Sequence, residues 1–246
     1  MTQHAMPKIV SRNEWLTARK QLLAQEKEAT QLRDRVNAER RRLPMVEVST
    51  PYVFEGPDGK LGLLDMFEGR EQLYIHHFMW VDERDVGCPS CSLAADLNFG
   101  PLDREQLHKR GITFAAIARA PFASIQRYKA QKGWTFPFYS SAGNTFNYDF
   151  HVTLDESKTP IEYNYRNKAE LMKSGLPEGM LRGDFPANSI FVREGQRVFH
   201  TYSAYARGLD QLATPYNFLD LTPFGRQEDW EDSPAGWPQR PTYGEP

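Results

Sequence analysis

The sequence lacks most of the features that assign a protein quickly. Its 246 residues include two cysteines, too few for a disulfide framework. No apolar run approaches the roughly 20 residues that a membrane-spanning helix needs. The start, Met1-Thr2-Gln3-His4-Ala5-Met6-Pro7-Lys8, has no apolar signal-like stretch. A formal charge of −2 leaves no basic field for nucleic acid or an anionic membrane. No glycine-rich dinucleotide loop follows a strand, so no organic cofactor is implied. Together these absences predict a cytoplasmic protein with no nucleic-acid or membrane partner, whose cysteines are kept for reactivity. A sizeable core is available nonetheless, since 40 % of residues are apolar and 13 % aromatic. The length suits one ordinary domain with extensions, or two small ones.

The two cysteines stand three positions apart in Cys88-Pro89-Ser90-Cys91. The segment Gln72 to Trp80 before them reads as a strand, and the segment from Ser92 reads as a helix. A C-x-x-C between a strand and a helix in an α/β chain is the pattern of a thioredoxin-like redox site. At a helix start, unpaired backbone N–H groups and the positive end of the dipole favour thiolate over thiol. Cys88 is then the attacking sulfur, and Cys91, one turn later and less exposed, the resolving one. Pro89 suits an early helical position, where its missing N–H costs nothing. Inert thiols near a helix start are the alternative. A metal is a further one, with Cys88, Cys91, His76 and His77 as ligands. Adjacent strand residues point to opposite faces, however, so His76 and His77 do not converge easily.

Around this motif the chain predicts a βαβαβ order with parallel strands. Ser11-Arg12-Asn13-Glu14 is a capping box opening a charged helix to about Arg42, where Leu43-Pro44 stops it. That helix is expected to pack across the domain or against another subunit, so a homodimer is one option. A hairpin around Gly56-Pro57-Asp58-Gly59 comes next. The strand Gln72 to Trp80, a helix broken at Gly100-Pro101, and the buried strand Ile112 to Ala118 follow. A helix from Pro121 to Lys132-Gly133 and a strand at Phe136 to Tyr139 complete the alternation. Residues 146–184 read as an insertion with a short helix near Lys168. Ser189 to Arg193 and Arg197 to Thr201 form a second hairpin, and Tyr205 to Leu212 a terminal helix. Three regions are expected: 1–44, a helical extension; 45–226, the thioredoxin-like domain with its insertion around 150–185; and 227–246, a polar tail that is either loose or strapped down by Trp230 and Trp237.

Asp184-Phe185-Pro186 precedes the last hairpin, where thioredoxin-like folds carry a cis-proline whose preceding backbone pairs with bound peptide. Pro186 is a substrate-binding candidate on that ground, although a trans turn residue fits the sequence equally. Trp80 is a second candidate. The acidic loop Val81 to Val86 separates it from the motif and restricts which partners reach the sulfur. Tyr202, Tyr205 and Arg207 either line such a cleft or pack the C-terminal hairpin.

Longer runs carry a family resemblance. They are Phe67-Glu68-Gly69-Arg70, His77-Phe78-Met79, Cys88-Pro89-Ser90-Cys91-Ser92, Ala118-Arg119-Ala120-Pro121, Lys132-Gly133-Trp134, Phe146-Asn147-Tyr148-Asp149-Phe150, His200 to Asp210, and Leu219-Asp220-Leu221-Thr222-Pro223. From about Ser11 to Trp230 the chain resembles DUF899, a bacterial family of thioredoxin-like proteins predicted to be dithiol-disulfide oxidoreductases. The resemblance implies an α/β, thioredoxin-like fold with a central mixed sheet, an N-terminal helix and peroxiredoxin-like extensions. A peroxiredoxin's P-x-x-x-[TS]-x-x-C loop is not matched: Val81 stands in the proline position and Asp85 in the hydroxyl position. Asp85 also disfavours a thiolate unless it is turned away. Arg119, beyond the second long strand, is the candidate cation to compensate, or an ordinary surface arginine. The expected reaction is dithiol–disulfide exchange with a selective disulfide or thiol partner, the electrons coming from another dithiol. A thiol peroxidase, or a thioredoxin-like interaction protein without activity, are the alternatives.

Overall fold

The structure, a computed structural model, describes residues 6–240. These divide into two compact units: Pro44–Ala213, which carries both cysteines, and 6–43 together with 214–240. Residues 214–226, expected within the thioredoxin-like domain, therefore group with the N-terminal helix.

In the smaller unit, α1 (Arg12–Arg40) starts on the capping box: Ser11 accepts from the Glu14 N–H, and the Glu14 carboxylate accepts from the Ser11 N–H at 2.9 Å. None of its 29 residues is buried, so its thin apolar row stays accessible to water. In the tail, Trp237 packs edge-on against Phe224 at 5.3 Å, and Arg226 lies over Tyr216 at 4.3 Å while pairing with Asp220 at 2.7 Å. The tail thus meets the C-terminal segment of its own unit through aromatic rings.

The larger unit is built on an eight-stranded sheet. Its strands are β1 (Val46–Glu47), β2 (Val53–Gly56), β3 (Gly59–Gly62), β4 (Gln72–His77), β5 (Ile112–Ala118), β6 (Phe138–Ser140), β7 (Ala187–Glu194) and β8 (Arg197–Tyr205). Their spatial order is β1-β8-β7-β4-β5-β6-β2-β3. Strand β5 runs parallel to β4 and β6, while β7 is antiparallel to β4 and β8. Parallel neighbours need crossovers. Helices α2 (Pro89–Asn98) and α3 (Pro101–His108) supply the first, and α4 (Phe122–Lys132) the second. A parallel βαβαβ half with an antiparallel hairpin added beside its first strand is the mixed sheet of a thioredoxin-like fold.

The sheet is buried on both faces, and β5 explains how. Phe114, Ala116 and Ala118 enter one apolar layer while Ala115 and Ile117 enter the other, as the two-residue repeat of a strand requires. The layer beneath α2 and α4 is aromatic: Phe78, Phe136 and Phe138 are 1–2 % exposed, and burial of each such side chain contributes roughly 1.5–3 kcal/mol. His76 and His77 part across the sheet. His76 packs on Phe78 and Phe99 and bonds Asn188, whereas His77 stacks on Phe146 and Phe150. His77 continues as a buried chain through Ser189 and Ser203 to His200, each link 2.8 Å long. Burial pushes His76 down to about 4 and His77 to about 3, so both are neutral.

Two expectations about the elements are corrected. The strand before the cysteines ends at His77 rather than Trp80. Beyond it, Trp80–Val81 pairs antiparallel with Val86–Gly87, so the acidic segment is a small hairpin and not an open loop. Its turn, Asp82–Arg84, closes on Asp85 in the left-handed region at φ 50°. Residues 206–212 form 3₁₀ turns, and the α-helix comes later, at Thr214–Leu219.

The hairpin presses close against the aromatic layer at Gly87. A Cβ there would stand 2.6 Å from the Tyr128 ring and 2.7 Å from the Phe78 ring. Gly87→Ala is therefore expected to lower stability by about 1–3 kcal/mol, measured by chemical denaturation of the reduced protein.

Candidate functional site

The chain leaves β4 at the carboxyl end of the parallel strands and is re-aimed by the hairpin. The Cys88 N–H donates to the Met79 carbonyl at 3.0 Å, which fixes where the next helix begins. Cys88 is the N-cap of α2 and Pro89 its first residue. The first helical bond runs from the Ser92 N–H to the Cys88 carbonyl at 2.9 Å, and the Ser92 hydroxyl donates to that same oxygen at 2.9 Å. Tyr128 of α4 places its hydroxyl 2.9 Å from Ser92 Oγ, tying the two helices together beside the motif.

Both cysteines are free thiols, with Cys88 partly exposed and Cys91 buried. Cys88 has its pKa pulled down to about 5, first by a hydrogen bond from the Cys91 thiol and then by Ser90 and the backbone N–H groups of residues 90 and 91, against the opposing effect of burial. Ser90 Oγ lies 3.2 Å from the Cys88 sulfur. Cys91 moves the other way. Donating to Cys88, being buried, and facing the charges of Cys88 and Asp184 all hold its proton. At neutral pH the pair is one thiolate and one thiol at a helix N-terminus. That is a partly exposed nucleophile with a second sulfur in reserve.

Asp184 is the residue that sequence reasoning missed. Its side chain is 5 % exposed, and burial raises its pKa in spite of its partners. Those partners are the Thr153 hydroxyl at 2.6 Å, the Trp80 N–H at 3.3 Å and Arg119 Nε at 3.5 Å. The Trp80 N–H belongs to a strand of the hairpin that aims Cys88, so Asp184 is tied to the segment before the motif. A short antiparallel pairing of Gly183–Asp184 with Thr153–Leu154 delivers the carboxylate from the insertion. No motif marks it. The one available signal was an acid two residues before Pro186.

The profile of a family described as "Bacterial protein of unknown function (DUF899)" matches residues 4–243. The chain belongs to the DUF899 family. No curated protein matches it in sequence. Among solved structures, a peroxiredoxin Q variant from Xanthomonas campestris is similar with TM-score 0.45 and 14 % identity, covering 72 % of this chain and 98 % of its own. The peroxidoxin BcpB from Mycobacterium tuberculosis gives TM-score 0.46 and 13 % identity, covering 70 % of this chain and 95 % of its own. Likeness at that level says nothing about chemistry.

The remaining candidates of this DUF899 protein take positions of their own. Asp85 is turned away from the thiolate: its carboxylate takes the Trp80 Nε1–H at 3.3 Å, the Ser124 hydroxyl at 2.9 Å and Arg127 at 2.5 Å. Trp80 is 6 % exposed and packs edge-on against Tyr128, so its indole pins the hairpin. Arg119 is shared between Asp184 and, at 3.4 Å, Asp82. Pro186 lies just before β7, where Ala187 pairs with His77, but no cis peptide bond occurs among the described residues. The Phe185 N–H is spent on the Val152 carbonyl at 2.8 Å, and the Pro186 carbonyl accepts from Tyr163 at 2.8 Å. A peptide therefore cannot use the N–H that precedes the proline. Tyr205 is buried, its hydroxyl bonded to the Phe150 carbonyl at 3.1 Å, in line with packing, whereas Arg207 is exposed and pairs with Asp210 at 3.3 Å.

The thiolate assignment has a direct readout. Alkylation of reduced protein by iodoacetamide should rise with pH around a midpoint near 5, with Cys88 as the residue labelled. Cys91→Ala removes the leading donor and should move that midpoint up by about one unit or more. Stability follows the same group. The Cys88 pKa is depressed on folding, so its contribution is complete above the unfolded thiol value and lost as pH falls through about 5. Cys88→Ser should abolish that part of the pH dependence in denaturation curves.

Proposed function

We propose that this protein is a dithiol–disulfide oxidoreductase, with Cys88 as nucleophile and Cys91 as resolving thiol. The observation that carries the reading is the placement of the pair: Cys88 stands partly exposed at the start of α2, and Cys91 lies buried one turn inside it. The electrons reside in the two sulfurs, so exchange requires no organic cofactor.

In the reducing direction, the Cys88 thiolate attacks one sulfur of the partner's disulfide. A mixed disulfide forms, and the partner's other sulfur leaves as thiolate. Cys88 then no longer accepts from Cys91, and the proton of Cys91 needs a new base. Asp184 has the right properties: it is buried, its pKa is raised, and its charge is felt at Cys91. With that proton removed, Cys91 attacks Cys88, closes the internal disulfide and expels the partner's second thiolate, which takes up a proton. The partner gains two electrons and the Cys88–Cys91 pair loses two. A second dithiol returns them by the same steps reversed. The opposite net direction uses the same contacts.

A peroxidase would instead oxidise Cys88 to sulfenate at a loop with Asp85 where a hydroxyl is needed, and Asp85 is committed to Ser124 and Arg127. This disfavours it as a second reading.

Reduced protein mixed with bis(2-hydroxyethyl) disulfide supplies the test, read by intact mass. Wild type should release 2-mercaptoethanol and end as the internal disulfide. Cys91→Ser should accumulate the mixed disulfide on Cys88, and Cys88→Ser should form none. An adduct on Cys91 in wild type, or no internal disulfide at all, would sink the proposal. Asp184→Asn should slow closure on the order of 100-fold and flatten its pH dependence, while leaving the first attack nearly unchanged.

A further inference from the structure

The exchange chemistry leaves open how a partner approaches. A cleft of about 470 Å³ runs between α2 and α4, bounded by residues that include Gly87, Pro89, Leu93, Asp96, Tyr128 and Lys132. It begins at the residues on either side of Cys88. We propose that this cleft, with the outer face of α2, docks an uncharged, extended polypeptide segment beside the partner's disulfide, so that the substrate is a protein disulfide. This inference rests on the dithiol-exchange reading above.

Three observations point the same way. First, the backbone beside Pro186 offers less to a partner, because the Phe185 N–H and the Pro186 carbonyl are both bonded internally and Phe185 packs on Tyr163 at 4.8 Å. Second, α2 carries an apolar row on its water-facing side. Pro89 is exposed, Leu93 is 59 % exposed and Leu97 41 % exposed, spaced four residues apart on one face. From Pro89 to Leu97 the helix rises roughly 12 Å, the length of about four extended residues. A small disulfide would touch only the first turn.

Third, the charges of the cleft are matched internally. Asp96 accepts from Trp134 Nε1 at 2.6 Å and faces Lys132 at 3.9 Å. Lys132 in turn sits near the Tyr128 and Trp134 rings, at 5.9 Å and 6.0 Å. Electrostatic complementarity to such a surface calls for an occupant without charge. A charged segment would lose hydration and find no free partner.

The test compares two oxidants of the full-length reduced protein. One is a synthetic peptide with an intramolecular disulfide flanked by leucine and valine; the other is bis(2-hydroxyethyl) disulfide. Leu93→Asp changes an exposed position and leaves the thiol contacts alone. It should cut the second-order rate with the peptide about tenfold or more, the value of one buried leucine side chain. The rate with the small disulfide should stay within about twofold. Replacing the peptide's flanking residues by glutamate should slow wild type to a similar degree. Equal losses with both oxidants, or no loss with either, overturn the docking site while the exchange reading stands. If wild type is oxidised by neither, the exchange reading and the docking site fall together.

Discussion

Everything proposed for this protein depends on one placement, that of Cys88 at the start of α2 with Cys91 buried one turn inside it. It splits two chemically identical groups into an anion and a proton donor. The helix start favours negative charge in general, but a dipole alone does not decide which sulfur carries it. Position does: Cys88 caps the helix with its sulfur partly in water, and Cys91 lies one turn inside the apolar layer. The asymmetry of burial is thereby turned into an asymmetry of charge, and the order of the two chemical steps follows.

The fold maintains that asymmetry from several directions. Beneath the motif lies a layer of phenylalanines too closely packed to let the hairpin sink. Beside it, Tyr128 meets Ser92 and fixes the spacing of α2 and α4. On the third side the insertion contributes Asp184, held by a threonine hydroxyl, a backbone N–H and an arginine. A carboxylate so deeply placed would be costly if unpaired; here each partner offsets part of that cost without removing the tendency to hold a proton. Arg119 therefore serves the carboxylate first, and its contact with Asp82 links that buried acid to the surface hairpin.

The sequence was most legible where chemistry and local geometry coincide. The spacing of the cysteines, the proline between them, the capping box of α1 and the apolar run of β5 are local signals, and each stands in the structure much as read. The hairpin at 80–87 was harder, because strand-forming residues run on past His77 and only the clamp on Asp85 shows why the chain turns. Asp184 was not legible at all. Its role comes from pairing with Thr153, some thirty positions away, and no periodicity in an insertion encodes that contact. Pro186 misled for a related reason: its place before β7 was right, but the bonds of Phe185 and Pro186 to Val152 and Tyr163 depend on the same insertion folding over it.

The clamp on Asp85 has a consequence in time. The hairpin that aims Cys88 is held by Ser124 and Arg127, and both lie on α4, more than thirty residues further along the chain. Until that helix has formed and docked, the hairpin lacks its hold on Asp85 and Tyr128 does not meet Ser92. The frame around the two thiols is thus completed only by residues that follow them in the chain by more than thirty positions. The order of the sequence therefore sets the order in which the site is assembled: the motif comes first, and its frame arrives with α4.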